Sequence, residues 1–137
     1  MYRGEFPEKR PPEFFEGSVL ILDANALISP FQFSFNLDLK LEERVPEATV
    51  VVPTSVIKEL EGLAKSGDWK AKAALELSKN YHWVVSKGRG DRSIYNLAVE
   101  NDWMVMTQDI GLRNKLLKSS IPVVFLRGKG NLSLMEP

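Results

Sequence analysis

No cysteine occurs among the 137 residues, which excludes disulfides, thiolate zinc sites and cysteine nucleophiles. Histidine occurs once, at His82, so a serine–histidine triad has little to be built from. No apolar run approaches the ~20 residues that a bilayer-spanning helix needs. The opening Met1-Tyr2-Arg3-Gly4-Glu5-Phe6-Pro7 has no apolar core of the secretion-signal kind. We therefore expect a cytoplasmic protein with no membrane attachment. Net charge is missing too, with 18 basic against 18 acidic residues. The balance is uneven along the chain, however. Residues 1–53 carry five basic and nine acidic residues (−4), and residues 54–137 carry thirteen and nine (+4). The second part can thus meet a polyanion, although charged side chains on solvated helix faces explain the same excess.

What is present reads as one domain. Residues 1–17 hold Pro7, Pro11 and Pro12 among charges, so they are expected to be an N-terminal arm, either flexible or laid over the surface through Phe6, Phe14 and Phe15. Residues 18–137 form the domain itself. Val19-Leu20-Ile21-Leu22 is a continuous apolar run, the pattern of a strand buried on both faces, and it ends in Asp23. A short helical turn through 25–29 should be limited by Pro30. From 31 to 46 two patterns compete. Phe31, Phe33 and Phe35 alternate as in a strand and would expose aromatics to a partner, whereas Asn36 can cap a helix carrying Leu37, Leu41 and Val45. The helix is preferred. A strand at 49–53 follows, then a helix capped by Thr54 or Ser55, and a second helix capped by Asp68. Strands are then predicted at 83–85, 103–107 and 122–126, with helices opening at Asp91 and Asp109. Trp69, Trp83 and Trp103 fall inside these elements and are expected in the core. Alternating β and α units indicate an α/β fold, a three-layer α/β/α sandwich around a mainly parallel central sheet.

Four acids fall at one edge of that sheet. Asp23 follows the first strand, Glu59 lies early in the helix after the second, Asp91 starts the next helix, and Asp109 follows the strand ending at Thr107. In open parallel sheets the carboxyl edge is where ligands bind. Each acid has a plain structural role available, as a helix cap or a surface residue near a helix N-terminus. Those roles leave the recurrence of acids at one edge unexplained. Gathered carboxylates resist ionising unless a cation lies among them. Hard oxygen donors of this kind suit Mg²⁺ or Mn²⁺, the setting for metal-assisted phosphodiester hydrolysis.

At these residues the chain resembles a known family. Leu22-Asp23-Ala24-Asn25, then Val52-Pro53-Thr54-Ser55-Val56-Ile57-Lys58-Glu59-Leu60, then Gly90-Asp91-Arg92-Ser93-Ile94, then Met106-Thr107-Gln108-Asp109 are similar to the four motifs of the PIN domain, in order and in spacing. Arg127-Gly128-Lys129 resembles the ribosome-processing branch. The resemblance implies a Mg²⁺- or Mn²⁺-dependent endoribonuclease, either the toxin of a toxin–antitoxin pair or an RNA-processing enzyme. The acids would be Asp23, Glu59, Asp91 and Asp109, with Asn25 and Thr107 orienting a carboxylate or a metal-bound water. It implies RNA as partner, an antitoxin or ribosome-assembly protein as a second, and homodimers as a common state. Products would carry a 5′-phosphate and a 3′-hydroxyl. Lys58, Lys65, Arg89, Arg92, Arg113 and Lys129 are the candidate phosphate contacts. Relatives often carry further acids where this chain has Arg92 and Gly111, which favours one ion over two. A non-catalytic RNA-binding or ribosome-assembly module on the same fold is the alternative. A phosphoacceptor receiver domain would want a second acid beside Asp23, and none is there.

Overall fold

The computed structural model describes residues 6–137. Its sheet is built outward from β2 (Val19–Leu22), whose four apolar residues are all buried. On one side β2 pairs in parallel with β3 (Thr49–Pro53), which pairs in parallel with β4 (His82–Val84). On the other it pairs in parallel with β5 (Met104–Met106), and β5 with β6 (Val123–Arg127). The full order is β1-β4-β3-β2-β5-β6-β7, a mostly parallel sheet of an α/β fold. Among the described residues no helix is long and apolar enough to cross a membrane.

Six helices connect the strands: α1 (Ala24–Phe33), α2 (Leu37–Arg44), α3 (Thr54–Lys65), α4 (Trp69–Ser78), α5 (Gly90–Asn101) and α6 (Ile110–Lys118). From β2 the chain steps through β3 to β4, then crosses back to β5 and β6. Parallel crossovers are right-handed, so reversing direction puts α5 and α6 on the opposite face from the earlier helices. Contacts agree: α1, α3 and α4 pack together, and α5 packs on α6. The reversal leaves a topological switch point between β2 and β5, at their carboxyl ends.

Several local expectations are corrected. Pro30 does not stop α1, which runs through it to Phe33. A proline there removes the N–H that Ala26 carbonyl would accept, and the Ser29 hydroxyl donates to that carbonyl instead at 2.7 Å. Asn36 caps α2 as expected, accepting from the Leu39 N–H. Phe31, Phe33 and Phe35 lie partly buried against the core rather than forming an exposed patch. Neither Thr54 nor Ser55 caps α3 with its side chain. Thr54 Oγ1 accepts from the Ser86 N–H, and Ser86 Oγ accepts from the Ser55 N–H, so the cap comes from the loop after β4. Trp83 and Trp103 are core, but Trp69 opens α4 and is 62% exposed.

Two strands lie outside the sequence reading. β1 (Lys9–Arg10), in the N-terminal arm, pairs in parallel with β4, and Phe15 packs edge-on against Trp103 and His82. The strand 123–127 is not the last: β7 (Asn131–Met135) returns antiparallel to it. Residues 1–5, the start of the arm, lie outside the described residues.

Candidate active site

The switch point is where the acids gather. Asp23 leaves β2 and caps α1: its Oδ1 accepts from the Ala26 N–H at 2.7 Å. Its own N–H donates to the Met106 carbonyl at the end of β5. Only 5% of Asp23 is exposed. Burial is the main cause that pushes its carboxyl from 3.8 up to about 6, against lowering hydrogen bonds from Thr107 and Ala26, and the negative charges of Asp91 and Glu59 push in the same direction as burial.

Thr107 connects two of the acids. It is fully buried after β5, its N–H bound to the Val124 carbonyl. Its hydroxyl hydrogen-bonds the Asp23 carboxyl and accepts from the Asp109 N–H at 3.1 Å. Asp109 caps α6, accepting from the Leu112 N–H at 2.8 Å. That bond is the main reason its carboxyl is held low, and a hydrogen bond with Asp91 adds to it. Asp91 moves the other way, raised by partial burial and then by the same bond and by the charge of Asp109. The two carboxyls thus pull each other's proton affinity in opposite directions. Glu59 is raised as well, by partial burial and then by the charge of Asp91. Each acid therefore feels at least one other.

Capping is the plain structural role open to Asp91. The residue does not take it: α5 begins at Gly90, with Arg89 in the cap position. Freed from capping, the Asp91 side chain turns to Asp109. The loop that delivers it passes through Gly88 at φ 74° and Gly90 at φ 69°, a left-handed backbone that disfavours any side chain. A buried hydrogen bond from Ser93 Oγ to Ser55 Oγ (2.9 Å) ties the first turns of α5 and α3 together, which fixes Asp91 relative to Glu59. Gln108 holds the other flank: its amide donates to the Leu126 carbonyl and accepts from the Leu126 N–H. The supporting roles of Ser86, Ser93 and Gln108 escaped the sequence reading, because partners 31, 38 and 18 residues away leave no local pattern. Asn25, on the first turn of α1, is exposed and makes no side-chain hydrogen bond among the described residues.

These supports set up a stability expectation. Thr107→Val keeps the shape and removes the hydroxyl, leaving the buried Asp23 carboxyl short of a donor and the Asp109 N–H short of an acceptor. Urea unfolding should show a loss of about 1–3 kcal/mol.

The candidate cations divide by position. Lys58 and Arg89 line one cavity of about 710 Å³ together with Glu59. Arg92 lines another, of about 640 Å³, with Asp91 and Asp109. The Arg113 guanidinium lies 5.2 Å from the centre of the Phe125 ring, and Arg127 lies 5.9 Å from the same ring. Lys129 is in the turn between β6 and β7. Lys65 ends α3, eleven residues along from Thr54, so about 16 Å of helix separates it from the acid edge. It does not join the site. Lys115 does, beside Asp91 and Asp109, and it was not singled out from sequence. Lys115 had a signal: it follows Gly111 by one helical turn, on the α5-facing side.

The donor set is all oxygen, which fits a hard divalent cation, and the raised carboxyls of Asp23, Glu59 and Asp91 are what acids show when no cation balances them. As placed, no three acids among the described residues stand close enough to enclose an ion.

Known proteins of the same build exist. Over 119 residues the chain is 35% identical to a protein named Ribonuclease VapC4 from Methanocaldococcus jannaschii, covering 80% of this chain and 91% of that one. A structure titled as the PIN domain endonuclease Utp24 superposes with a TM-score of 0.74 at 19% identity, covering 86% of this chain and 91% of the other. A domain of a functionally unknown protein from Methanocaldococcus jannaschii gives a TM-score of 0.62 at 20% identity, covering 82% and 93%. At such identities the two structures establish the fold alone. The family model described as PIN like domain matches residues 20–129, and those residues hold all four acids. With the carboxyl-edge acids in place and a family model covering most of its length, this chain belongs to the PIN-like domain family.

Proposed function

We propose that this protein is a divalent-metal-dependent ribonuclease that hydrolyses RNA phosphodiesters. One observation carries the reading: a buried carboxyl, Asp23, at the end of β2, linked through the buried Thr107 hydroxyl to Asp109, with Asp91 and Glu59 near enough to act on it. A fold that needed only helix caps would not place a third and a fourth acid there at the cost of their ionisation. The relative named Ribonuclease VapC4 supports the activity.

When bound, Mg²⁺ or Mn²⁺ would lower the pKa of a coordinated water and balance charge developing on the phosphate. Asp23, Asp91 and Asp109 would hold the ion, drawn closer together than they stand without it. Thr107 keeps the Asp23 carboxyl oriented and ties it to Asp109. Glu59, with its raised carboxyl on the rim, is suited to take a proton from the attacking water. Asn25, exposed beside Asp23, can meet a water or a phosphate oxygen. Arg113 and Arg127, two guanidiniums on one ring with no contact ion pair among the described residues, offer a backbone phosphate two cations.

The test is direct. Purified protein is incubated with end-labelled single-stranded RNA in Mg²⁺, in Mn²⁺ or in EDTA. Cleavage should appear with either metal, stop in EDTA, and leave 5′-phosphate ends. Binding without cleavage in any metal would instead favour the non-catalytic RNA-binding module.

A further inference from the structure

The cavity between α5 and α6 extends beyond the two acids assigned to the ion, and its walls carry opposite charges. Asp91 and Asp109 form one side; Arg92 and Lys115, with Tyr95 and Asn96, form the rest. We infer that this cavity is a one-nucleotide subsite for the RNA strand, in which Arg92 and Lys115 hold the phosphate next to the one being cleaved. The inference rests on the ribonuclease reading above and adds to it where the neighbouring nucleotide sits and which residues hold it.

Charge is the first argument. The Lys115 ammonium is near enough to lower the carboxyls of both Asp91 and Asp109, yet it makes no contact ion pair among the described residues. Arg92 makes none either among the described residues. Two cations placed merely to balance the acids would be drawn onto them. These stand open to the cavity, within reach of a phosphate that spans from the acids toward them.

Space is the second. At about 640 Å³ the cavity falls in the size range of small-ligand sites. Gly111 adds no side chain to its wall. A Cβ there would come within 3.3 Å of Asp109 Oδ1. The Gly111 N–H also bonds to Asp109. A side chain at this position would crowd the acid.

The third argument is the remaining wall. Tyr95 is half-buried and its hydroxyl is held by Ser119 Oγ at 2.5 Å, so the ring is fixed. A fixed aromatic face and the exposed Asn96 amide suit a base. Phosphate-binding cations on one rim and a base-binding wall behind them match a nucleotide better than a free anion.

The experiment measures binding rather than turnover. A short fluorescein-labelled single-stranded RNA is titrated in EDTA, where no cleavage can confuse the signal, across a series of salt concentrations. The Arg92→Gln/Lys115→Gln double variant is compared with wild type and with Lys70→Gln/Lys72→Gln, an equal loss of charge on α4, which carries none of the four acids. The expected result is a loss of affinity of about tenfold or more for the first variant, and a salt slope smaller by about 1.4, two contacts at ~0.7 each for single strands. The α4 variant should stay close to wild type. Thermal unfolding establishes that both variants fold, and uridine 5′-monophosphate should shift the amide resonances of Tyr95, Asn96 and Lys115 in wild type. Equal losses in the two variants, or an unchanged slope in the first, would overturn the subsite while wild-type cleavage keeps the ribonuclease reading intact. A wild type that neither binds nor cleaves RNA would overturn both.

Discussion

Asp23→Asn should abolish metal-dependent RNA cleavage and, in EDTA at neutral pH, make the protein more stable than wild type. Both halves follow from the same buried carboxyl. Asparagine keeps the shape and keeps an oxygen to accept from the Ala26 N–H, so the cap on α1 survives. What goes is a negative charge held at 5% exposure in the field of two other acids. The native carboxyl titrates near 6 and the unfolded one near 3.8. Between those values the native state keeps a proton that the unfolded chain has released, so stability falls as pH rises through the window. Above about 6 the whole cost is present. It amounts to about 3 kcal/mol, at 1.36 kcal/mol per tenfold shift in proton affinity. Below 3.8 both states are protonated and the advantage of asparagine vanishes. Urea unfolding of both proteins at a series of pH values reads the difference. The gain should grow from near zero in acid to about 3 kcal/mol at neutrality. On the functional side, removal of a ligand should cost more than the roughly 10–100-fold that losing an outer-shell partner costs. A variant that cleaves like wild type would sink the metal-ligand role, and one that is destabilised at neutral pH would show that the Asp23 charge is already balanced.

That one substitution can help the fold and end the chemistry explains why the acids were legible as a site. Taken alone, Asp23, Asp91 and Asp109 read as caps and Glu59 as a surface residue near a helix N-terminus, and the structure grants Asp23 and Asp109 the cap in full. The joint pattern was readable because parallel strands buried on both faces write themselves as continuous apolar runs, and Val19–Leu22 and Thr49–Pro53 mark the strand ends from which acids can be counted. Elements fixed by pairing rather than by pattern were not readable. β1 is two residues long and exists because Lys9 and Arg10 find Trp83 and Val84. Such a strand has no period to detect. β7 alternates polar and apolar residues over only four positions, Asn131 to Leu134, and it is defined by the hairpin that the turn at 128–130 closes. Pro30 misled for a related reason: the bond it deletes is replaced by a side chain, Ser29, and propensity alone does not see the replacement. Trp69 was read by type, as a large aromatic, when its position just after the Asp68 cap faces it to solvent.

Divalent metal should reverse the stability order that Asp23→Asn creates. Without metal, wild type holds a costly carboxylate and the variant does not. A cation bound only by the folded state adds RT ln(1 + [L]/Kd), about 2.7 kcal/mol at 100 times Kd and about 4.1 at 1,000 times. The second figure exceeds the ~3 kcal/mol deficit and the first does not. Mn²⁺ should therefore raise the thermal midpoint of wild type progressively, cross that of the variant somewhere between those two loadings, and leave the variant nearly unmoved. Mg²⁺ should act alike at higher concentration if its affinity is lower, as the usual ordering of oxygen-donor sites implies. Differential scanning fluorimetry across a metal series, begun in EDTA, shows the crossing. Glu59→Gln gives the needed contrast. Glu59 lies on the exposed rim and its carboxyl feels Asp91 rather than a buried cap, so its loss should slow cleavage while leaving most of the metal-induced stabilisation in place. If wild type and Asp23→Asn rise in parallel with Mn²⁺, the ion binds elsewhere, and the acid cluster at the β2–β5 switch point is not its site. If Glu59→Gln loses the metal response as completely as Asp23→Asn, Glu59 is a ligand and not the group that takes the proton.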